Sequence, residues 1–243
     1  MKTPKNASES WDLAYQVRDI PWHDEHPPRE LLRVLREQWF KKFVGADLRV
    51  RPIMNAGVGS PTQPPKVGVL SPRPKALDVG CGLGTTSIAL SRVGFDVVGI
   101  DISKTAIEEA RVRASELNVG ARRAVPKQGS VHFEVQDAFD LRPYYGQFDL
   151  VIDLGCFHGF SGKWRKAFLK EIHRVLRNEG LYWVMTFGRK SPNYGPYRYS
   201  QKEMRELMSP LFKILFVRNS NWSYLYQRNP SQIPSLSCLM EKL

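Results

Sequence analysis

Ala76-Leu77-Asp78-Val79-Gly80-Cys81-Gly82-Leu83-Gly84 is an apolar run with a β-branched valine that ends in three glycines at alternate positions. Thr85 to Ser91 then reads as the opening of a helix stopped at Gly94. The order is strand, tight turn, helix: glycine tolerates backbone angles that other residues resist and lets a ligand approach the main chain closely. A second strand, Phe95 to Ile100, ends in Asp101, 21 residues after Gly80. A carboxylate at that tip is placed to accept hydrogen bonds from both hydroxyls of a ribose. The unit reads as a nucleoside-binding βαβ.

The spacing of the turn narrows the nucleoside. A dinucleotide turn is G-x-G-x-x-G and sets a pyrophosphate on a helix N-terminus. Here the spacing is G-x-G-x-G, with Asp78 two residues before the first glycine. A carboxylate there repels a pyrophosphate and suits a ligand that carries a cation. Asp78-x-Gly80-x-Gly82-x-Gly84 with Asp101 resembles the first two motifs of the class I S-adenosylmethionine-dependent methyltransferases. The resemblance implies a Rossmann-like α/β fold: a mostly parallel seven-stranded sheet with an antiparallel last strand and helices on both faces. It also implies S-adenosyl-L-methionine as cofactor. Asp78, Gly80, Gly82, Asp101 and Ile102 then belong to the cofactor site, with Asp137 and Ala138 meeting the adenine. Asp153 and Leu154, at the tip of the fourth strand, complete it.

Around this centre the chain divides into three. Residues 1–50 form an aromatic and helical cap, with Trp11, Tyr15, Pro21, Trp22, His23 and His26 close together and an apolar helical spacing from Glu30 to Phe43. Tyr15 and Trp22 are expected either to cap the sheet edge or to cover the cofactor, since an aromatic face attracts a sulfonium. Residues 51–74 hold six prolines and three glycines and read as a loop. Residues 75–243 are the cofactor-binding domain. Within it, helices are expected over Ser103–Asn118 and Gly162–Arg177, and strands over Val131–Gln136, Phe148–Asp153 and Leu181–Phe187. A helix capped by Ser200 with Glu203 follows, then last strands at Leu211–Val217 and Ser237–Lys242. The polar, aromatic segment between those two, Arg218 to Ser235, carries no clear pattern.

The loop Leu154-Gly155-Cys156-Phe157-His158-Gly159-Phe160 follows the fourth strand, where open α/β sheets bind ligands. His158 and Asp153 are the candidates for a catalytic base beside the methyl group. Cys156 reads as a small apolar residue. Tyr194, Tyr197 and Phe157 are expected to wall the acceptor, with Arg198 orienting an anionic group on it. The Pro21-Trp22 segment, Asp153 to His158, and Gly195 to Ser200 together resemble the thiopurine and tellurite-resistance methyltransferases, including thiol and halide methyltransferases. Leu154 stands where thiopurine enzymes tend to carry arginine. That likeness implies direct in-line transfer to a small-molecule nucleophile, thiols favoured; an RNA methyltransferase and a cofactor-binding protein without turnover are the alternatives.

Composition sets further bounds. The net charge is +12, but the basic residues are dispersed and no RNA-binding module accompanies them, so a nucleic-acid partner is not expected. The three cysteines, Cys81, Cys156 and Cys238, have neither disulfide nor metal-ligand spacing, and no metal is expected. No apolar run approaches the roughly 18 residues of a membrane helix, and Met1 to Asn6 has no apolar signal segment. A cytoplasmic location is the expectation.

Overall fold

The computed structural model describes residues 3, 5–20, 22–40, 72–120, 129–191, 197–226 and 229–243. The proline-rich stretch up to residue 71 and Tyr194 lie outside them. Two helices, α1 (Lys5–Gln16) and α2 (Arg29–Val34), precede the sheet. The chain then runs β1 (Lys75–Val79), α3 (Thr85–Arg92), β2 (Asp96–Asp101), α4 (Lys104–Gly120), β3 (Val131–Val135), β4 (Phe148–Leu154), α5 (Gly162–Val175) and β5 (Leu176–Phe187). It ends with α6 (Gln201–Met208), β6 (Phe212–Tyr226) and β7 (Asn229–Lys242).

The seven strands form one sheet in the order β3-β2-β1-β4-β5-β7-β6. Neighbours from β3 through β5 pair in parallel, and β7 runs antiparallel to both β5 and β6. The period-2 pattern of the strands separates two cores. Leu77, Val79, Val151, Tyr182 and Val184 pack with Phe168 and Ile172 of α5 and Met204 and Met208 of α6. Ala76, Leu150, Ile152, Leu181, Trp183 and Met185 pack on the other side with Leu31 and Val34 of α2 and Leu90 of α3. Both faces of the sheet are covered, as a parallel sheet requires.

The order reverses between β1 and β4. Connections from β1 lead outward through β2 to β3, and those from β4 lead the other way. A crevice opens at the carboxyl ends of strands at such a switch point, and the cavity described below lies there.

Helix ends match their caps. Ser103 Oγ accepts from Ala106 N at 3.1 Å, and Ser200 with Glu203 forms a reciprocal capping box. Three boundaries differ from the sequence pattern. The helix expected from Glu30 ends at Val34, where Arg36 N bonds Arg33 O and Glu37 N bonds Val34 O, tightening the turn. Leu176 leaves α5 to pair with Phe148. The unassigned segment from Arg218 to Ser235 belongs to the β6–β7 hairpin, with Trp222 opposite Ile233.

Two prolines hid that hairpin, since proline is rare inside a sheet. β5 pairs with β7 only as far as Ser235, so residues 229–234 have a ladder partner on one side only. Pro234 O accepts from Gly188 N at 2.9 Å, on the side away from β6. A strand residue's N and O point the same way, so the donor that Pro234 lacks was never owed to β6. Pro230 has the same parity.

Arg218 ties this hairpin to α2. Its guanidinium donates to Glu30 Oε1 at 2.6 and 2.9 Å and to Glu37 Oε1 at 2.6 Å. Glu30 is buried, with Arg33 at 3.6 Å as its second cation. Arg218→Met should destabilise the protein by about 3 kcal/mol, because it leaves a buried carboxylate half-paired. Urea denaturation of the variant and of the compensating pair with Glu30→Gln measures this, and the double variant should recover part of the loss.

Candidate functional site

The turn after β1 is fixed to the tip of β2. Gly80 N and Cys81 N both donate to Ile100 O, at 2.8 and 2.9 Å. Gly82 N donates to Asp101 Oδ2 and Ser103 N to Asp101 Oδ1, each at 2.9 Å. All three glycines of the turn are needed for space as well as angle; at Gly84 (φ +77°) an added Cβ would stand 2.5 Å from Phe133 Cζ. At Gly80 (φ +69°) an added Cβ would stand 2.7 Å from Cys156 Sγ, and at Gly82 (φ +52°) 2.7 Å from Tyr15 Oη.

Beside this turn lies a cavity of about 580 Å³. Of the residues singled out in the sequence, Tyr15, Trp22, Gly80, Asp101, Ile102, Ala138, Leu154 and His158 reach its wall. Asp78, Gly82, Asp137 and Asp153 stand behind it. Asp78 is buried and accepts from Ser87 Oγ at 2.6 Å. Asp137 accepts from Thr3 N at 2.7 Å, Thr3 Oγ1 at 2.8 Å and Phe139 N at 2.9 Å.

Asp153 is enclosed. It accepts from Cys156 N at 2.8 Å, Phe157 N at 3.1 Å and Tyr182 Oη at 3.0 Å, so its carboxylate folds the 154–160 loop and does not face the cavity. The expected acceptor wall is also placed differently. Phe157 is buried against Tyr199, Tyr197 packs on the Arg165 guanidinium, and Arg198 donates to Ser191 O. The apolar side chains at that end of the cavity come instead from Phe139, Phe160 and Trp164, from Phe187 on β5 and from Ile233 on the hairpin, with Trp222 packed behind Phe187. Thr3 and Trp11 reach the wall from the N-terminal segment. Trp222 and Ile233 lay in the segment whose pattern the prolines obscured; Phe187 was legible only as a strand end.

The charge in this region is negative and poorly hydrated. Burial is the main cause that pushes Asp78 up to about 7, with Asp153 and Asp101 adding repulsion. Burial likewise raises Asp153 to about 6 and raises Asp101, against the backbone N–H groups that each accepts from. Among the described residues, no lysine or arginine reaches the cavity wall. No group of described residues has the arrangement of a metal site.

The N-terminal segment crosses the cavity and is fastened on its far side. Asp12 Oδ1 accepts from Ser103 Oγ at 2.6 Å and Thr105 N at 2.9 Å, a carboxylate at the N-terminus of α4. These donors hold its pKa below the usual carboxylate value. Arg18 pairs with Glu109 at 2.6 Å, and Trp22 Nε1 donates to Tyr15 Oη at 3.3 Å.

The geometry fits S-adenosylmethionine. A carboxylate with one oxygen lone pair on each side already held by backbone faces the cavity at the tip of β2, and the turn leaves no room for side chains where the ligand would meet the main chain. The fold and this cavity define a Rossmann-like domain of the methyltransferase type. Residues 76–180 match the family model described as a methyltransferase domain.

Its relatives include a 2-heptyl-1-hydroxyquinolin-4(1H)-one methyltransferase of Mycobacteroides abscessus, 30% identical over 57% of this chain and 58% of that protein. A probable thiol methyltransferase 2 of Arabidopsis thaliana is 30% identical over 58% of each. The chain thus spans less than two thirds of the length of these two. Among solved structures, one from work on conversion of a disulfide bond into a thioacetal group during echinomycin biosynthesis has a TM-score of 0.71. It is 19% identical and covers 97% of this chain and 92% of that one. TehB from Haemophilus influenzae has a TM-score of 0.55 at 16% identity, covering 70% of this chain and 57% of that one. Both show the fold.

His158 is the polar side chain among the rings. Its centroid lies 4.5 Å from that of Phe187, and its Nδ1 is buried with no hydrogen-bond partner among the described residues. Burial depresses its pKa to about 4. A histidine held neutral by folding contributes stability that is fully present above its unfolded pKa, near 6.5, and is lost as pH falls from there toward 4. Asp78 and Asp153 act in the opposite sense, since their raised values favour protonation in the folded state. A comparison with His158→Phe isolates the histidine. Relative to wild type, the variant should gain on the order of 3 kcal/mol between pH 6.5 and pH 4, read from urea denaturation across that range.

Proposed function

We propose that the protein transfers a methyl group from S-adenosylmethionine to a small-molecule nucleophile. The observation that carries this is Asp101: a buried carboxylate at the tip of β2, held by Gly82 N and Ser103 N, facing a cavity at the switch point of a methyltransferase sheet. When bound, the cofactor supplies a methyl group already activated by its sulfonium. The chain's part is to bind, orient and exclude water.

Asp101 accepts the ribose hydroxyls with its remaining lone pairs. The Ala138 backbone and the Ile102 side chain bracket the adenine, and Asp137, held by Thr3 and Phe139 N behind the wall, fixes the segment that carries Ala138. Gly80 and Leu154 let the methionine portion lie against the main chain. Asp78, behind the turn, contributes by bracing it through Ser87 Oγ. Tyr15 and Trp22 close the site from above, and their rings suit a sulfonium. The two relatives named above are, by their names, methyltransferases for a hydroxyquinolone and for thiols, and a thiol or similarly soft acceptor agrees with an enclosed, apolar site. No helix among the described residues is long and apolar enough to cross a membrane.

Titration calorimetry with S-adenosylmethionine and with S-adenosylhomocysteine tests the cofactor. Wild type should bind both. Asp101→Ala should lose on the order of 3 kcal/mol, a hundredfold or so in affinity, with its circular dichroism unchanged. Failure of the wild type to bind either compound, or tight binding of NAD, overturns the reading. Labelled cofactor incubated with thiols, phenols, amines and RNA tests the acceptor: label should pass to a small molecule, and transfer to RNA at comparable rates would favour a nucleic-acid substrate instead.

The N-terminal fastening should also be visible. Asp12→Ala removes two hydrogen bonds to a carboxylate and should weaken cofactor binding by about tenfold, mainly through faster release, at a cost of about 1.5 kcal/mol. Stopped-flow release of S-adenosylhomocysteine measures it.

A further inference from the structure

The cavity has two chemically different ends. One is polar and belongs to the cofactor. The other is lined by His158, Phe187 and Ile233, with Trp222 packed behind the first two rings. Trp222 and Ile233 face each other across the β6–β7 ladder. The Phe187 and Trp222 rings stand 5.6 Å apart, and His158 packs edge-on to Trp222 at 6.1 Å. Gly155, with φ +123°, brings the loop after β4 against the same two rings, its would-be Cβ 3.7 Å from His158 Cε1 and 4.0 Å from Trp222.

Resting on the methyltransferase reading, we propose that this wall selects an uncharged, apolar acceptor bearing a thiol or hydroxyl, and that the hairpin sets that specificity, Ile233 directly and Trp222 by backing the Phe187 and His158 rings. Three arguments carry the proposal. First, Asp78, Asp101 and Asp153 repel one another across the turn, and among the described residues no lysine or arginine reaches the cavity to offset them. The cofactor's own sulfonium and ammonium would be the cations there, with the Asp101 carboxylate already on the wall beside them. Secondly, ring and aliphatic carbon make up most of this wall, so an anion would lose most of its hydration without replacement. Thirdly, His158 lines the cavity and carries two ring nitrogens; Nδ1 is sealed away from it, which leaves Nε2 to meet an acceptor. A neutral imidazole is an acceptor for one S–H or O–H, which fixes the orientation of the nucleophile inside an otherwise featureless wall.

The step balances without another reagent. The acceptor's sulfur or oxygen forms a bond to the methyl carbon as the bond from that carbon to the cofactor sulfur breaks. The electron pair of the broken bond stays on that sulfur, which becomes a neutral thioether. The acceptor atom turns strongly acidic as it takes the methyl, so its proton passes to His158, through Nε2 because Nδ1 is sealed, and then to water. A weakly basic imidazole suffices for such a proton. The sequence pattern had suggested an anionic group oriented by Arg198; in the structure that guanidinium donates to Ser191 O instead.

Steady-state kinetics on the full chain test the proposal, with neutral acceptors (an aromatic thiol, an alkyl thiol and a phenol assayed well below their pKa values) set against iodide and thiocyanate. The neutral acceptors should exceed the anions in kcat/KM by at least a hundredfold. Trp222→Ala and the milder Ile233→Ala should raise the acceptor KM about tenfold while the calorimetric affinity for S-adenosylhomocysteine stays within twofold; Trp222→Phe should restore most of the loss. Anions used as efficiently as the neutral compounds, or hairpin variants that change cofactor affinity and leave the acceptor KM alone, would overturn it. Cofactor affinity separates the two readings. A wild type that binds no cofactor contradicts the methyltransferase assignment itself. One that binds cofactor and prefers anions contradicts this proposal alone.

Discussion

Everything in the site depends on one short set of hydrogen bonds between the end of β1 and the end of β2. Ile100 O receives two amides of the glycine turn, and the Asp101 carboxylate receives a third amide from that turn and a fourth from the start of α4. These bonds do two things at once. They satisfy buried backbone donors that a positive-φ turn would otherwise leave unpaired, and they hold the carboxylate rigid before any ligand arrives. A preorganised acceptor loses little freedom on binding, so more of each hydrogen bond appears as affinity. Asp78 and Asp153 brace the same region from behind, through Ser87 on one side and the 154–160 loop on the other.

The cofactor end and the acceptor end are built by different parts of the chain. The first comes from β1, β2 and the residues after β3, one half of the sheet. The second comes from β5 and the hairpin beyond it, with the 154–160 loop between them. The N-terminal segment spans the opening and is fastened by polar contacts, Asp12 to the start of α4 and Arg18 to Glu109. Contacts of this kind are individually modest at the surface. A segment held by a few of them can be released and re-formed, whereas the apolar cores beneath the sheet cannot.

Much of this was legible in the sequence, and the parts that were not have physical reasons. The glycine spacing and the two carboxylates marked β1, β2 and the cofactor side, because steric demand at Gly80 and Gly82 and hydrogen-bond demand at Asp101 are local and leave a local trace. The Ser200–Glu203 pair marked α6 for the same reason. What the sequence could not convey was which side chains meet from distant positions. Asp153 and Phe157 sat in the right loop, yet backbone amides and the core claimed them. Tyr197 and Arg198 looked like substrate contacts, but Arg165 and Ser191 O engage them. Trp222 and Ile233 were obscured because Pro230 and Pro234 argue against a strand unless one knows that β5 stops at Phe187.

That same stretch of β7 has a ladder partner on one side only, and the proline parity has a consequence for solubility. A strand with a free margin offers alternating donors and acceptors to any other chain, and addition of a foreign strand there is the first step of edge-to-edge aggregation. Where β7 runs past β5, the positions whose amides would point outward include Pro230 and Pro234, and Pro234 O is already taken by Gly188 N. The margin that carries the apolar wall of the cavity therefore has two of its docking points removed by covalent structure. Trp222 and Ile233 can be kept apolar there without the hairpin becoming a template for its own kind.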